Sequence, residues 1–153
     1  MLYCGNMKSK TIGIIIAIIT IAILAVEVLA YIVSDSDRAE WSTEGGTAII
    51  DTFLYGEVEY NSDYNKYLLK YSDGDSGRSA WGTCEPVSYF YGHAKVVFPD
   101  GSTWERDTYG PGNYIYFTCT KWHKSVDFKT WSWFYDDYAH QYFELWTWTH
   151  LNP

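Results

Sequence analysis

The chain has 153 residues and a formal net charge of −8 at pH 7, and its 15 Tyr, 8 Trp and 7 Phe make up 20% of it. Beyond residue 33, Lys and Arg number 9 against 18 Asp and Glu, a net charge of −9. A strongly acidic domain repels phosphate backbones, so the composition argues against nucleic-acid binding. The roughly 120 residues of this part are enough for one domain with its own core and too few for two.

The first element in chain order is an apolar run, Thr11–Val33, that contains a single charged residue, Glu27. As a helix the run would rise about 34 Å, which is enough to cross the hydrocarbon core of a bilayer and contact membrane lipid. Lys8 and Lys10 precede the run, and basic residues mark the cytoplasmic side. The pattern therefore predicts a cytoplasmic tail over 1–10 and an extracytoplasmic C-terminal domain.

A cleaved signal peptide is the alternative interpretation of the same run. The segment Val28–Ala30 offers small residues where a signal peptidase cuts, and cleavage after Ala30 would secrete the domain. The apolar continuation through Tyr31–Val33 favours a retained anchor. Glu27 is costly inside a membrane, so it is a candidate for pairing with a partner helix, unless it is protonated or snorkels to the surface.

An apolar N-terminal helix with one acid, followed by a β-rich outer domain, resembles the plan of type IV pilin-like filament subunits. The resemblance covers Lys8–Val33. Those families are processed just before the apolar run, after a small residue, whereas this chain has Ser9-Lys10-Thr11 there, and Glu27 lies deeper than their early glutamate. The resemblance implies a filament subunit as one functional alternative.

The cysteines divide between the two predicted compartments. Cys4 lies in the predicted cytoplasmic tail, whereas Cys84 and Cys119 are the two cysteines of the exported part. Disulfides form in oxidising compartments, and a bridge closing this loop would stabilise the fold by roughly 3–4 kcal/mol. The sequence therefore predicts a disulfide between Cys84 and Cys119.

The outer domain begins with a polar stretch, 34–46, that indicates a linker between membrane and domain. Apolar alternation over Thr47–Tyr60 predicts a long strand with a bend at Gly56. Lys66–Tyr71 predicts a second strand, and the Gly-, Ser- and Asp-rich segment Ser72–Gly77 predicts a turn after it.

The middle of the domain continues as short strands separated by turns. Pro99–Gly101, between Ala94–Phe98 and Ser102–Arg106, is the strongest hairpin signal of the chain. In the strand predicted over Asn113–Trp122, alternation places Cys119 on the core face.

The C-terminal section combines strand and helix signals. Trp131, Trp133 and Tyr135 share one strand face, as do Trp146 and Trp148, whereas the polar residues of Asp137–Leu145 recur at helical spacing. We therefore predict one short helix at Asp137–Leu145 and a final strand, Trp146–His150. With no βαβ spacing, the fold class is mainly all-β: a transmembrane helix followed by an antiparallel β-sandwich over 47–153, with an immunoglobulin-like topology as one alternative.

No motif in the chain predicts catalysis, a metal site or a cofactor. The oxygen-rich turns Asn61–Asn65 and Asp73–Gly77 lack the complete spacing of a calcium loop. Glu85, Asp136 and Asp137 are acidic residues without a catalytic pattern. We therefore predict a protein that is not an enzyme.

The aromatic C-terminal section carries the functional hypotheses. If the two Trp-bearing strands pair, Trp131, Trp133, Tyr135, Trp146 and Trp148 form one patch, whereas they could equally be a bulky core. The first hypothesis is a single-pass membrane protein of the cell surface, with a structural, adhesive or self-assembly role and a surface protein or itself as partner. The second is a carbohydrate-binding module, secreted or anchored, that uses the Trp and Tyr face.

Overall fold

The computed structural model describes residues 30–153, which form nine β-strands. In chain order they are β1 (Tyr31–Ser42), β2 (Gly46–Asn61), β3 (Lys66–Gly82), β4 (Cys84–Pro86), β5 (Phe90–Val97), β6 (Thr103–Gly110), β7 (Tyr114–Cys119), β8 (Ser125–Asp136) and β9 (Gln141–Leu151). All strand pairs are antiparallel. The prediction of an antiparallel all-β domain is therefore confirmed for this part of the chain.

The strands form two sheets. The first has the order β1-β2-β3-β7. In the second, β8 pairs along one edge with β9 and along the other with β5 and then β4, while β6 pairs with the far edge of β5. Three consecutive strands are neighbours in the first sheet, so the strand order differs from the ABED and CFG sheets of immunoglobulin domains.

The core lies between the inner faces of the two sheets. Alternation buries every second residue of β8 and of the central part of β2, residues 50–58, because successive side chains of a strand point to opposite faces. Phe117 of β7 and Phe128 of β8 meet with ring centroids 4.8 Å apart, which ties the first sheet to the second. Four phenylalanines are the largest buried side chains: Phe90, Phe117, Phe128 and Phe134.

A cluster of hydroxyl groups crosses the middle of this core. Thr52 Oγ1 lies 2.7 Å from Ser76 Oγ on the neighbouring strand and 2.9 Å from Thr130 Oγ1 on the facing sheet. Thr147 Oγ1 lies 2.7 Å from Thr130 Oγ1. All four side chains are buried, so their hydroxyls satisfy one another in place of water.

The seam between β1 and β9 is closed by two carboxylates. The backbone N–H of Trp148 donates to Asp37 Oδ2 and that of His150 donates to Asp35 Oδ2, both at 2.9 Å. These donors lie on the edge of β9 away from β8, so the carboxylates occupy the edge that another strand would otherwise pair with. The prediction of a linker over 34–46 is therefore wrong for most of this segment, since residues 34–42 belong to β1.

One end of the sandwich is held together by the buried carboxylate of Asp136. It accepts hydrogen bonds from Thr83 Oγ1 at 2.7 Å, Thr43 Oγ1 at 2.9 Å and Trp41 Nε1 at 3.2 Å, and from the Tyr138 backbone N–H at 3.0 Å. Burial raises the pKa of Asp136, but the hydrogen bonds from Thr83, Thr43 and Trp41 outweigh it and hold that pKa well below its ordinary value. One carboxylate thus ties together three loops.

The predicted helix at Asp137–Leu145 is wrong. Residues 137–140 form a tight turn, with His140 in the left-handed region at φ 52°, and β9 follows directly from Gln141. The polar residues that suggested a helical stripe are those of the turn and of the outer face of β9. Pairing along the whole length of β8 outweighs the local helical spacing, since it satisfies the backbone of both strands.

The predicted turn at Ser72–Gly77 is also wrong, because β3 runs straight through it. Its small residues serve packing. A Cβ on Gly74 would lie 2.2 Å from Phe117 Cε1 and 2.8 Å from Phe128 Cδ1, so the absent side chain leaves room for both rings. The bend predicted in β2 does occur, as a register shift between Glu57 and Val58.

The predicted disulfide between Cys84 and Cys119 is wrong, since both thiols are free and buried. Cys119 lies opposite Ser72 on β3, whereas Cys84 follows the other end of that strand, beyond Gly82. A strand from Ser72 to Gly82 extends about 33 Å, whereas bridged cysteines have Cα atoms about 4–7 Å apart. The two thiols therefore lie at opposite ends of the sandwich.

The predicted anchor, with Glu27 and the inner tail, falls on residues 1–29 and lies outside the described residues. Its last residues, Tyr31–Val33, do not continue a helix, because β1 begins at Tyr31. Within residues 30–153 the structure contains no helix of the length and apolarity that crossing a membrane requires.

Candidate functional site

The outer face of the second sheet carries a row of aromatic side chains that crosses four strands. Trp146 of β9 lies directly opposite Trp131 of β8, Trp131 opposite Tyr91 of β5, and Tyr91 opposite Tyr109 of β6. Neighbouring strands lie about 4.8 Å apart, so this aromatic row extends about 14 Å across the sheet. Its side chains come from β5 and β6 as well as from the C-terminal hairpin of β8 and β9.

The rings that β5, β6 and β8 contribute to the aromatic row lie close to one another. Tyr91 and Trp131 have centroids 5.6 Å apart and planes 11° apart, and Tyr91 and Tyr109 have centroids 6.2 Å apart. Tyr89, from the loop before β5, extends the row with its centroid 6.3 Å from that of Tyr109. The two ends of the row are open to solvent, since Trp146 is 56% and Tyr109 66% exposed.

The five predicted patch residues all lie on this face. Trp133 follows Trp131 on the outer side of β8 and is 45% exposed. Tyr135 packs on Tyr142 of β9 with centroids 4.8 Å apart, and Trp148 is 53% exposed. The structure therefore places the predicted residues in one contiguous surface patch and not in the core.

Sequence reasoning missed the part of the row that comes from β5, β6 and the loop before β5. Tyr91 shares its strand parity with His93 and Lys95, and this outward alternation was the available signal. The position of β5 beside β8 could not be obtained from local pattern, because β6 and β7 intervene along the chain. Tyr91 and Tyr109 therefore join the site only through the sheet order.

A charged band runs beside the aromatic row on the same face. His93 Nδ1 lies 2.7 Å from Asp107 Oδ1, and Lys95 Nζ lies 3.4 Å from Glu105 Oε1. Asp127 is a second centre of the band: its Oδ1 accepts from Trp148 Nε1 at 3.1 Å and lies 2.9 Å from His150 Nδ1. The band thus supplies hydrogen-bonding groups next to apolar ring faces.

Lys129 joins the band to the row. Its Nζ lies over the ring of Trp146, 5.4 Å from the centroid, which is within cation–π distance. No carboxylate of the described residues forms a salt bridge with Lys129, so its ammonium group has donors free for a ligand. Trp146 and Lys129 together place an ammonium group at the β9 end of the row.

The remaining titratable groups do not assemble a reactive centre in the described part of the chain. Residues 30–153 contain no group of three or more side chains placed to hold a metal ion. Asp136 is fully buried and its oxygens are occupied by loop donors. His123 is fully buried with Nδ1 2.7 Å from the Lys121 carbonyl, and burial lowers the pKa of this imidazole.

Comparison with known proteins shows no family for this chain. No family model matches the chain, and no curated protein matches it. A solved structure described as the "X-ray structure of Northeast Structural Genomics Consortium target SoR45" is 8% identical, covers 85% of this chain and 89% of that chain, and has a TM-score of 0.27. A TM-score this low carries no argument about fold or function.

Proposed function

We propose that this protein is a non-enzymatic cell-surface module that binds carbohydrate on the aromatic row of its second sheet. The observation that carries the proposal is the pairing of Trp131 with Trp146 and of Tyr91 with Trp131, which lines up four rings on one outer face. Aromatic rings offer large apolar surfaces that match the C–H faces of pyranose rings. The adjacent charged band offers donors and acceptors to sugar hydroxyls.

The proposal includes a membrane anchor formed by the apolar run. Because β1 begins at Tyr31, the segment left for the anchor is Thr11–Ala30. A helix of that length would rise about 30 Å, which matches the hydrocarbon core. The domain with its aromatic row would then lie outside the cell, with the N-terminal tail inside. Cleavage after Ala30 would release the same module in secreted form.

Glycan-array screening of the full-length protein in detergent tests the carbohydrate proposal. We expect binding that falls at least tenfold in Trp146→Ala, because that side chain is 56% exposed and ends the row. The matched control is Tyr114→Ala, which removes a ring that is 77% exposed on the other sheet and should leave binding unchanged. Absence of binding to any glycan, or binding that Trp146→Ala does not change, would reject the proposal.

A second candidate function, self-assembly into multimers or pilin-like filaments, is favoured by a separate observation. The outer face of the first sheet also exposes rings, with Phe53 61%, Tyr114 77% and Tyr116 72% exposed. A protein with exposed aromatic patches on two opposite faces can bind further copies of itself head to tail and so form an open filament. Multimers in native membranes that dissociate in Tyr116→Ala would support this function, and a strictly monomeric protein would reject it.

A further inference from the structure

The side chain of Arg78 on β3 is buried under two loops at one end of the aromatic row. It is 5% exposed, and its guanidinium lies 5.5 Å from the centroid of the Phe90 ring. Its Nη1 donates to the Ser88 carbonyl at 2.8 Å and to Ser132 Oγ at 2.5 Å. Arg78 thus lies between the loop before β5 and the inner face of β8.

The hydrogen bonds of Arg78 leave its positive charge without a counter-charge. Nε donates to Asn113 Oδ1 and Nη2 to the Pro111 carbonyl, both at 3.3 Å. A guanidinium has five N–H donors, so these four bonds leave one N–H on Nη2 without a partner. No carboxylate within residues 30–153 forms a salt bridge with it. Buried charges are ordinarily paired, so a buried guanidinium bonded only to neutral acceptors is unusual.

A groove of about 570 Å³ opens next to Arg78. Its walls come from the loop before β5 and the loop before β7, and include Val87, Tyr89, Tyr91 and Asn113. Arg78 is the single charged side chain among its lining residues, although residues 30–153 carry twice as many acids as bases. The groove is therefore a locally cationic site in an acidic domain.

The groove and the aromatic row share side chains. Tyr89 and Tyr91 line the groove and are also members of the row, each with its centroid within 6.3 Å of that of Tyr109. A ligand lying along the row would therefore place one end in the groove. Asn113 contributes there as well: its Oδ1 accepts from Arg78, which directs the amide N–H groups of Nδ2 elsewhere.

We propose that this groove binds the carboxylate of an acidic sugar, a uronic acid residue whose ring stacks on Tyr89 and Tyr91. The inference rests on the proposed carbohydrate-binding function and names its substrate class. The carboxylate accepts from the free N–H of Arg78 and from Asn113 Nδ2, two donors that suit its two oxygens. A single negative charge matches the single guanidinium, whereas a dianion such as phosphate would add repulsion from the surrounding acids.

Titration of the full-length protein in detergent with matched pairs of oligosaccharides tests this inference. Each pair consists of a glucuronate, galacturonate or mannuronate hexasaccharide and its carboxyl-reduced form, which keeps the rings and loses the charge. We expect the acidic form to bind at least tenfold more tightly, and added salt to reduce this preference. Equal affinity for both forms would overturn the inference, as would binding of acidic peptides in preference to every uronate.

The variants keep the test independent of folding. Arg78→Gln removes the charge but also releases the loop carbonyls that Arg78 holds, so Val87→Glu is the decisive variant. Val87 is 44% exposed on the groove wall, and a carboxylate there should reduce the affinity of the acidic form to that of the reduced form. Thr103→Glu adds the same charge at the exposed far end of the second sheet and should change neither affinity.

The outcome separates this inference from the proposed function. Loss of the acid preference in Val87→Glu with retained binding of the reduced form supports the inference. Binding of both forms with equal affinity, still abolished by Trp146→Ala, overturns the inference and leaves the proposed function standing. Absence of binding to any member of the panel overturns both.

Discussion

Gly74 of β3 leaves space for two phenylalanine rings of the core, so adding one methyl group at this position should destabilise the fold. In Gly74→Ala the new Cβ would lie 2.2 Å from Phe117 Cε1 and 2.8 Å from Phe128 Cδ1. Carbon atoms in contact are normally about 3.5–4.0 Å apart, so the Phe117 ring would have to move by more than about 1 Å. Both rings are buried, at 1% and 0% exposure, so moving either ring displaces its neighbours in a close-packed core.

The magnitude follows from two opposing terms. Overpacking of a core costs about 1–3 kcal/mol and occasionally more, while replacing a strand glycine by alanine returns about 0.5–1 kcal/mol. Because the clash involves two fully buried rings, the cost falls at the upper end of its range, and we expect Gly74→Ala to lose about 2 kcal/mol of unfolding free energy. For a domain of this size that corresponds to a decrease in Tm of about 7 °C.

The assay is thermal and urea unfolding of the full-length protein in detergent. Gly112→Ala is the matched control, since a Cβ there has no atom within 4 Å, and its stability should stay within about 0.5 kcal/mol of the wild type. Phe117→Leu should restore part of the stability lost in Gly74→Ala, because the smaller side chain admits the methyl group. If Gly74→Ala were as stable as the wild type, the packing argument for β3 would be refuted.

Two further variants and one labelling experiment test the hydroxyl cluster, the buried carboxylate and the thiols. Thr52→Val should cost about 1–2 kcal/mol in urea unfolding, because hydroxyl bonds are lost while Ser76, Thr130 and Thr147 can still satisfy one another; a cost above about 4 kcal/mol would contradict this donor count. Denatured, unreduced protein should incorporate an alkylating reagent at both Cys84 and Cys119 by mass spectrometry, and a mass showing a bridge between them would contradict the structure. In the native protein alkylation should be slow, because burial raises the pKa of both thiols. Asp136→Asn should be less stable than the wild type between pH 5 and 7, and the difference should shrink as pH falls below about 4, because a carboxyl with a depressed pKa contributes stability above its unfolded pKa and loses it on acidification. A difference independent of pH would show that the charge of Asp136 does not matter.

Local pattern predicted the elements whose own residues determine them. The alternation of β2, the hairpin at Pro99–Gly101 and the inward side of Cys119 all follow from period-two burial or from turn chemistry. The Trp-bearing strands β8 and β9 could be predicted for the same reason, because aromatic residues recur at every second position over Trp131–Tyr135 and Trp146–Trp148 and share one face of each strand. These features need no information about distant partners.

The features that the sequence did not reveal depend on distant partners. Ser72–Gly77 has turn composition, yet it is a central stretch of β3 because Gly74 leaves space for rings from β7 and β8. Residues 34–42 have linker composition, yet they form β1 because Asp35 and Asp37 accept hydrogen bonds from the β9 backbone. In both cases a contact more than 40 residues away along the chain decides the local structure, and single-sequence propensity does not contain that contact.

The distribution of large and small side chains supports a binding role more directly than any single residue. All eight tryptophans lie in the described part of the chain and none of them is buried, whereas the core contains the hydroxyl cluster of Thr52, Ser76, Thr130 and Thr147. A domain selected for stability alone would bury its largest apolar rings, since each removes about 150–250 Å² from water. This chain instead builds its core from phenylalanines and aliphatic side chains around the hydroxyl cluster, and it leaves Trp133, Trp146 and Trp148 exposed on the outer face of the second sheet. Because exposed rings promote aggregation and contribute little to folding, their alignment across four strands supports the proposed carbohydrate-binding role.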